Sequence, residues 1–275
     1  MNLVYPPLSI KLLGPLSPSL NGRPVTTSAP KQRQVMALLG LYVGRVVTVP
    51  TLVDELWGDR PPRSYATTLQ TYVLQLRNAL AAADPGNPDA RQLLSTSHCG
   101  YLFEADVCQT DVEDFDRHLR AGRAAGETGD HRLASEEYSR ALQLWRGPAL
   151  VDARAGRVLE IEAASLEESR LGVLERRLEA DLALGRHTDI LGELTLLTAR
   201  NPMNENLCAF QMTALYRAGH VGRSLQAFQR LRSALNDELG VEPCPRLQRL
   251  QNAILCGDPT LEASSVPRTW HEIAS

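Results

Sequence analysis

Five side chains between positions 67 and 78 have the types and spacing to touch a nucleic-acid base edge. Thr67, Thr71, Leu74, Gln75 and Asn78 fall on one side of a helical wheel. Leu69, Val73, Leu76 and Leu80, spaced 4, 3 and 4, fall on the other. The amides of Gln75 and Asn78 can each form paired hydrogen bonds with a base, adenine above all, and Leu74 is an apolar group on an otherwise polar face, suited to a thymine methyl. Gln70 and Arg77 flank the apolar side, where the Arg77 guanidinium can neutralise phosphate and add affinity without reading sequence. A plain solvated helix face would show the same polar row, so both readings stand for the helix taken alone. His98 has the same double character: at a hairpin tip it can reach the neighbouring minor groove or a phosphate, or it is an exposed turn residue. Lys31, Arg33 and Arg45 bracket an earlier helix and are either phosphate contacts or solvated charges, the second reading suiting Arg45.

The elements that would hold these groups are legible around them. Leu8, Ile10 and Leu12 alternate with Ser9, Lys11 and Leu13 at the period of a half-buried strand. Asn21-Gly22 suits a tight hairpin turn, with Arg23 to Thr27 as the returning strand. Ser28 can cap a first helix with Pro30 early in it, and Val35, Leu38, Leu39 and Tyr42 make its apolar face before Gly44 closes it. A second short helix follows Thr48, with Leu52, Val53, Leu56 and Trp57 inward. Gly58, Asp59, Arg60, Pro61, Pro62 and Arg63 must form a loop. The third helix then runs from about Ser64 to Ala82. After the break at Asp84 to Asp89, Leu93 to Thr96 and Tyr101 to Glu104 read as a hairpin turning at Ser97 to Gly100. Two helices, a longer helix and a hairpin make a winged helix-turn-helix, in which one helix enters the major groove, about 12 Å wide, and the rest grips the backbone.

From Asp111 the chain reads as almost wholly helical. Gly185 and Gly219, each between two helical stretches, are 34 residues apart, the tetratricopeptide period, and Gly129-Asp130-His131 looks like an earlier turn of the same kind. The expected fold is therefore mainly α with small β elements. A winged helix-turn-helix domain spans 1–107, an all-α tetratricopeptide-like domain 108–258 and a loose polar tail 259–275.

Charge supports this division. Residues 1–91 carry nine Lys or Arg against five acids, a net +4, whereas the remaining 184 residues carry −7, a polarity that suits nucleic-acid contact at one end. The five cysteines (Cys99, Cys108, Cys208, Cys244 and Cys256) form no Cys-x-x-Cys pair and no zinc spacing, so no metal is expected and reduced thiols in the cytoplasm are the plain reading. No apolar run reaches the ~18 residues a membrane helix requires, and no secretory signal is evident. Neither a phosphate-binding glycine loop nor a nucleophile elbow is present, and His271-Glu272 lacks the second histidine of a zinc helix, so neither catalysis nor a cofactor is expected. The competing class is a scaffold whose helical repeats bind a protein or peptide in a concave groove.

Several segments, taken together, resemble the Streptomyces antibiotic regulatory protein family. They are Lys31-Gln32-Arg33, Val49 to Pro62, Thr68 to Leu80, Gly100-Tyr101-Leu102, Asp111 to Phe115, Asn201-Pro202, Ala214 to Gly219 and Asp237 to Pro243. The resemblance covers about residues 8–256. It implies an OmpR-like winged helix followed by a bacterial transcriptional activation domain. It also implies an activator of an antibiotic or other secondary-metabolite gene cluster, bound to direct repeats near promoters as two protomers side by side and recruiting RNA polymerase. In OmpR-like domains the loop before the recognition helix faces polymerase, and that loop maps onto Gly58 to Arg63. The chain ends too soon for the ATPase or phosphopeptide-binding domains of larger relatives, so it resembles the small members.

Overall fold

The computed structural model describes residues 7–27, 29–153 and 156–261. Its N-terminal sheet has the order β3-β2-β1-β7. Strand β1 (Leu8–Lys11) pairs antiparallel with β2 (Ser17–Leu20), and β2 pairs with β3 (Arg23–Pro24). Strand β7 (Cys108–Thr110) returns to pair parallel with β1, with Leu8 opposite Cys108. The main partner of β1 is thus Ser17–Leu20, not the expected Arg23 to Thr27, of which only two residues join the sheet. Pro18 hid this strand: it donates no ladder hydrogen bond, and it occupies a strand whose flank is only this short β3. Asn21 (φ 48°) and Gly22 (φ 77°) take the left-handed positions of the turn from β2 to β3.

Helix α1 (Pro30–Leu41) starts on a proline, as expected. The expected cap, Ser28, lies outside the described residues; Ala29 holds the cap position without a side-chain bond. Residues Gln34 to Gly40 are all buried, which makes α1 the centre of the small domain. A Cβ on Gly40 would lie 3.0 Å from Ile10 Cγ2, so glycine allows the close approach of α1 to the sheet. Thr48 caps α2 (Val49–Trp57) by accepting from Thr51 N. Helix α3 (Tyr65–Ala83) buries the predicted stripe of Leu69, Val73, Leu76 and Leu80. A second sheet, order β4-β6-β5, joins β4 (Val47–Thr48) to the hairpin of β5 (Leu94–Ser97) and β6 (Gly100–Phe103). Gly100 is required there, because a Cβ would fall 2.0 Å from Val47 O.

The helices that follow are α4 (Asp111–Glu127), α5 (His131–Gln143), α6 (Arg157–Ala183), α7 (Leu191–Arg200), α8 (Glu205–Arg217), α9 (Val221–Leu239) and α10 (Pro245–Cys256). The three glycine turns share one geometry. Gly129, Gly185 and Gly219 have φ of +79°, +74° and +77°. The residue after each donates to the carbonyl five positions back: Asp130 to Ala125 (2.9 Å), Arg186 to Asp181 (3.0 Å) and His220 to Leu215 (2.8 Å). These are left-handed helix ends of the Schellman type, for which glycine is the favoured residue. The 27-residue α6 supplies the material that breaks the 34-residue period between Gly129 and Gly185.

The chain divides into two compact units. One comprises the described residues of Met1–Leu119 and Arg140–Leu171, the other those of Arg120–Ser139 and Gly172–Ser275. Within the first unit, three carboxylates bind the winged helix to the helical segments after it. Asp111 accepts from Leu12 N (2.6 Å) and Leu13 N (3.1 Å) and lies 3.6 Å from Arg146 Nη2. Glu55 on α2 is buried and accepts from Leu159 N (3.0 Å) in the first turn of α6, while Gln34 donates to it at 3.2 Å. A carboxylate at that helix end satisfies an orphan N–H and opposes the positive end of the helix dipole. Burial pushes the Glu55 carboxyl above the usual range, against the lowering by the Leu159 N–H and the Gln34 amide. Asp152 accepts from Leu16 N (2.8 Å) and pairs with Arg33. In the second unit, Met212, Phe228, Leu231, Leu247 and Ile254 form the core of α8, α9 and α10.

Candidate nucleic-acid interface

The outward row of α3 is open to solvent. Thr67, Thr71, Leu74, Gln75 and Asn78 are all exposed, and Leu74 is 54% exposed although it is a large apolar side chain. Thr71 Oγ1 donates to Thr67 O (2.9 Å), which turns its hydroxyl back to the helix. Gln75 Oε1 accepts from Gln32 Nε2 on α1 at 2.6 Å. Gln32 thereby fixes the rotation of the Gln75 amide while the row remains exposed. Only the run of three polar residues Lys31-Gln32-Arg33 pointed to this residue in the sequence, and a helix wheel of α3 could not.

The cations near the row have internal partners. Arg77 donates from Nε and Nη2 to Leu94 O (3.1 and 2.9 Å) and from Nη2 to Thr96 Oγ1 (2.6 Å). It thus ties the helix to wing strand β5. Lys31 Nζ donates to Leu56 O and stands 5.9 Å from the centroid of the Trp57 ring. Arg33 donates to Thr27 O (3.2 Å) and Leu16 O (3.1 Å) as well as pairing with Asp152. The Lys31-Gln32-Arg33 run is therefore a brace: its first member holds the end of α2, its second holds α3 and its third holds the segment at Asp152.

Arg77→Ala is expected to lower stability by about 1.5–3 kcal/mol, the usual worth of hydrogen bonds to a charged group, read from urea denaturation. Lysine should not restore the loss, because an ammonium cannot reproduce the guanidinium fork. Unchanged stability with a flatter salt dependence of DNA binding would instead give Arg77 a phosphate.

The wing tip is the pair His98-Cys99 between β5 and β6, both exposed, with Ser97 Oγ and His98 Nδ1 3.3 Å apart. The loop Gly58, Asp59, Arg60, Pro61, Pro62 and Arg63 is exposed throughout. Gly58 starts it at φ 56°, and Trp57 stacks on Tyr72 of α3 with ring centroids 6.4 Å apart, which anchors its origin. The arrangement is thus an exposed row of amides, hydroxyls and one leucine, a wing fastened to the same helix and a rigidly rooted loop ahead of it. No cluster of three or more His, Cys, Asp or Glu side chains capable of holding a metal exists among the described residues.

Two family models match the chain in succession. One is described as "Transcriptional regulatory protein, C terminal" and covers residues 22–103; the other, "Bacterial transcriptional activator domain", covers residues 110–255. Regulatory protein DnrI of Streptomyces peucetius is 52% identical over 257 residues, 93% of this chain and 94% of the relative. Transcriptional regulator RedD of Streptomyces coelicolor is 36% identical, over 96% of this chain and 75% of the relative. Among solved structures, Mycobacterium tuberculosis EmbR in complex with a low-affinity phosphopeptide superposes with a TM-score of 0.85 at 33% identity, covering 94% of this chain and 69% of that one.

Proposed function

The chain belongs to the Streptomyces antibiotic regulatory protein family, a family of transcriptional regulators rather than enzymes. From that membership we propose a sequence-specific, DNA-binding activator of a secondary-metabolite gene cluster. The observation that carries the reading is the exposed row on α3 with the wing tied to the same helix. Helix α3 enters the major groove, where Gln75 and Asn78 reach base edges and Leu74 meets a thymine methyl. Thr67 and Thr71 line the same face, and His98 carries the wing toward the adjacent minor groove or backbone. Lys31 and Arg33 act as braces that tie α1 to the end of α2 and to the segment at Asp152, and their charges contribute to the field at the DNA.

Residues 1–107 supply the DNA-binding function and residues 108–258 the activating one. Gly58 to Arg63, exposed and set ahead of α3, faces RNA polymerase. Two protomers bind side by side on direct repeats. The regulator works in the cytoplasm, in keeping with five cysteines that are all free. No helix among the described residues is long and apolar enough to cross a membrane.

A gel-shift titration of the full chain on duplexes carrying one or two copies of the repeat tests the arrangement. Two copies should give a second shifted species and bind at least tenfold more tightly than one. Equal affinity for both duplexes, each with one shifted species, would contradict side-by-side binding while leaving the recognition helix in place.

A further inference from the structure

Helices α7, α8 and α9, with the turn between α7 and α8, line an open cavity of about 370 Å³ in the second unit, and its lining includes none of the residues assigned to DNA or polymerase above. Its size falls within the range of small-molecule sites. The floor comes from α8 and the inner side of α9. Cys208, Leu215 and Leu231 are 3%, 2% and 4% exposed and give it an apolar base. Gln211 lies in the same floor at 4% exposure. Its one hydrogen bond among the described residues, from Nε2 to Thr195 Oγ1, is 3.5 Å long, at the limit of what counts as a bond. A buried amide so poorly paired is destabilising unless something else meets it.

Arg223 and Arg230 stand on the α9 side, two helical turns apart on the face that also carries Leu231. Neither guanidinium has a hydrogen-bond or ion-pair partner among the described residues. That contrasts with Arg177, Arg186 and Arg232 of the same unit, each held by a carboxylate. No aspartate or glutamate lines the cavity, in a chain with more acids than bases. Burial pushes the Cys208 thiol up to about 12, so it adds no negative charge.

We propose that this cavity binds a small organic carboxylate, with Arg223 and Arg230 on the anionic group, Gln211 hydrogen-bonded to it and Leu215 with Leu231 against the apolar body. Pairing carboxylate with guanidinium and amide donors supplies the polar half of the recognition. The buried leucines supply the apolar half. The site would give the activating domain a chemical input separate from DNA binding.

The probe is 8-anilinonaphthalene-1-sulfonate, an organic anion on an apolar body, titrated by fluorescence into the full chain. One saturable site is expected, from which 2-naphthoate displaces the probe at least tenfold better than neutral 2-naphthamide. The double variant Arg223→Ala/Arg230→Ala should weaken the probe at least tenfold. Its Tm should stay unchanged, since both side chains are exposed. Gln211→Leu should weaken 2-naphthoate in the same direction, and Arg91→Ala, an exposed arginine of the other unit, should have no effect. Any of three results would overturn the proposal: no saturable site, equal binding by the folded double variant, or equal displacement by 2-naphthamide. A tri-glutamate peptide displacing the probe more tightly than 2-naphthoate would also overturn it, in favour of an acidic peptide as the occupant.

Discussion

Asp111→Ala is expected to destabilise the unit that carries the winged helix by about 3–5 kcal/mol, the cost of breaking a buried charged network by removing one partner. Asp111 is 7% exposed and receives the N–H groups of Leu12 and Leu13. Without it, those two donors lose their acceptor where β1 ends, and Arg146 loses its carboxylate. Burial raises the Asp111 carboxyl above the ordinary range, and the Leu12 and Leu13 N–H groups and the Arg146 charge oppose that rise. These partners favour the ionised form. For a unit of this size each kcal/mol is worth roughly 2–4 °C, so the thermal midpoint should fall by about 10 °C. Asp111→Asn should lie between the two, because one oxygen remains to accept while the new amide opposes the second donor. A loss below about 1 kcal/mol for the alanine variant would mean that the carboxylate does not hold the two segments together.

The second large effect belongs to DNA choice. The double change Gln75→Ala/Asn78→Ala is expected to reduce discrimination between the cognate repeat and unrelated DNA by about 30-fold to 10⁴-fold. Each amide is taken as worth about 1–3 kcal/mol of base discrimination. Binding to unrelated DNA should hardly change, because phosphate contacts supply that part. Both side chains are exposed, so the thermal midpoint should stay where it is. Competition gel shifts with cognate and scrambled duplexes measure the ratio. Gln32→Ala should give a smaller loss of the same kind, since it releases the Gln75 amide without removing it. If the double variant kept full discrimination, α3 would not be the reading helix.

The parts of the fold legible in the sequence were those governed by short-range patterns. The spacing of Leu69, Val73, Leu76 and Leu80 located α3 because those four side chains all turn to one core. The glycine turns at Gly185 and Gly219 were legible because a left-handed helix end strongly favours glycine. The wing showed through its two alternating segments about a short turn. Strands β4 and β7, of two and three residues, carry no period long enough to detect and exist only through pairing with β6 and β1. Nothing local in the sequence marks Glu55, Asp111 and Asp152 as anchors, since the backbone N–H groups they accept from lie 98 to 136 residues away. The interface divided in the same way. The outward row of α3 followed from the wheel, whereas the partners of Lys31, Arg33 and Arg77 come from other elements, and no wheel reveals them.

The most direct measurement is a footprint of the full chain on candidate promoters of secondary-metabolite genes at moderate salt. The expected result is protection of two repeats on one face of the duplex, their centres one helical turn (about 10–11 base pairs) or a multiple of it apart. Absence of protection by folded protein at the same salt would contradict the DNA-binding reading and leave the helical repeats as a scaffold for another partner.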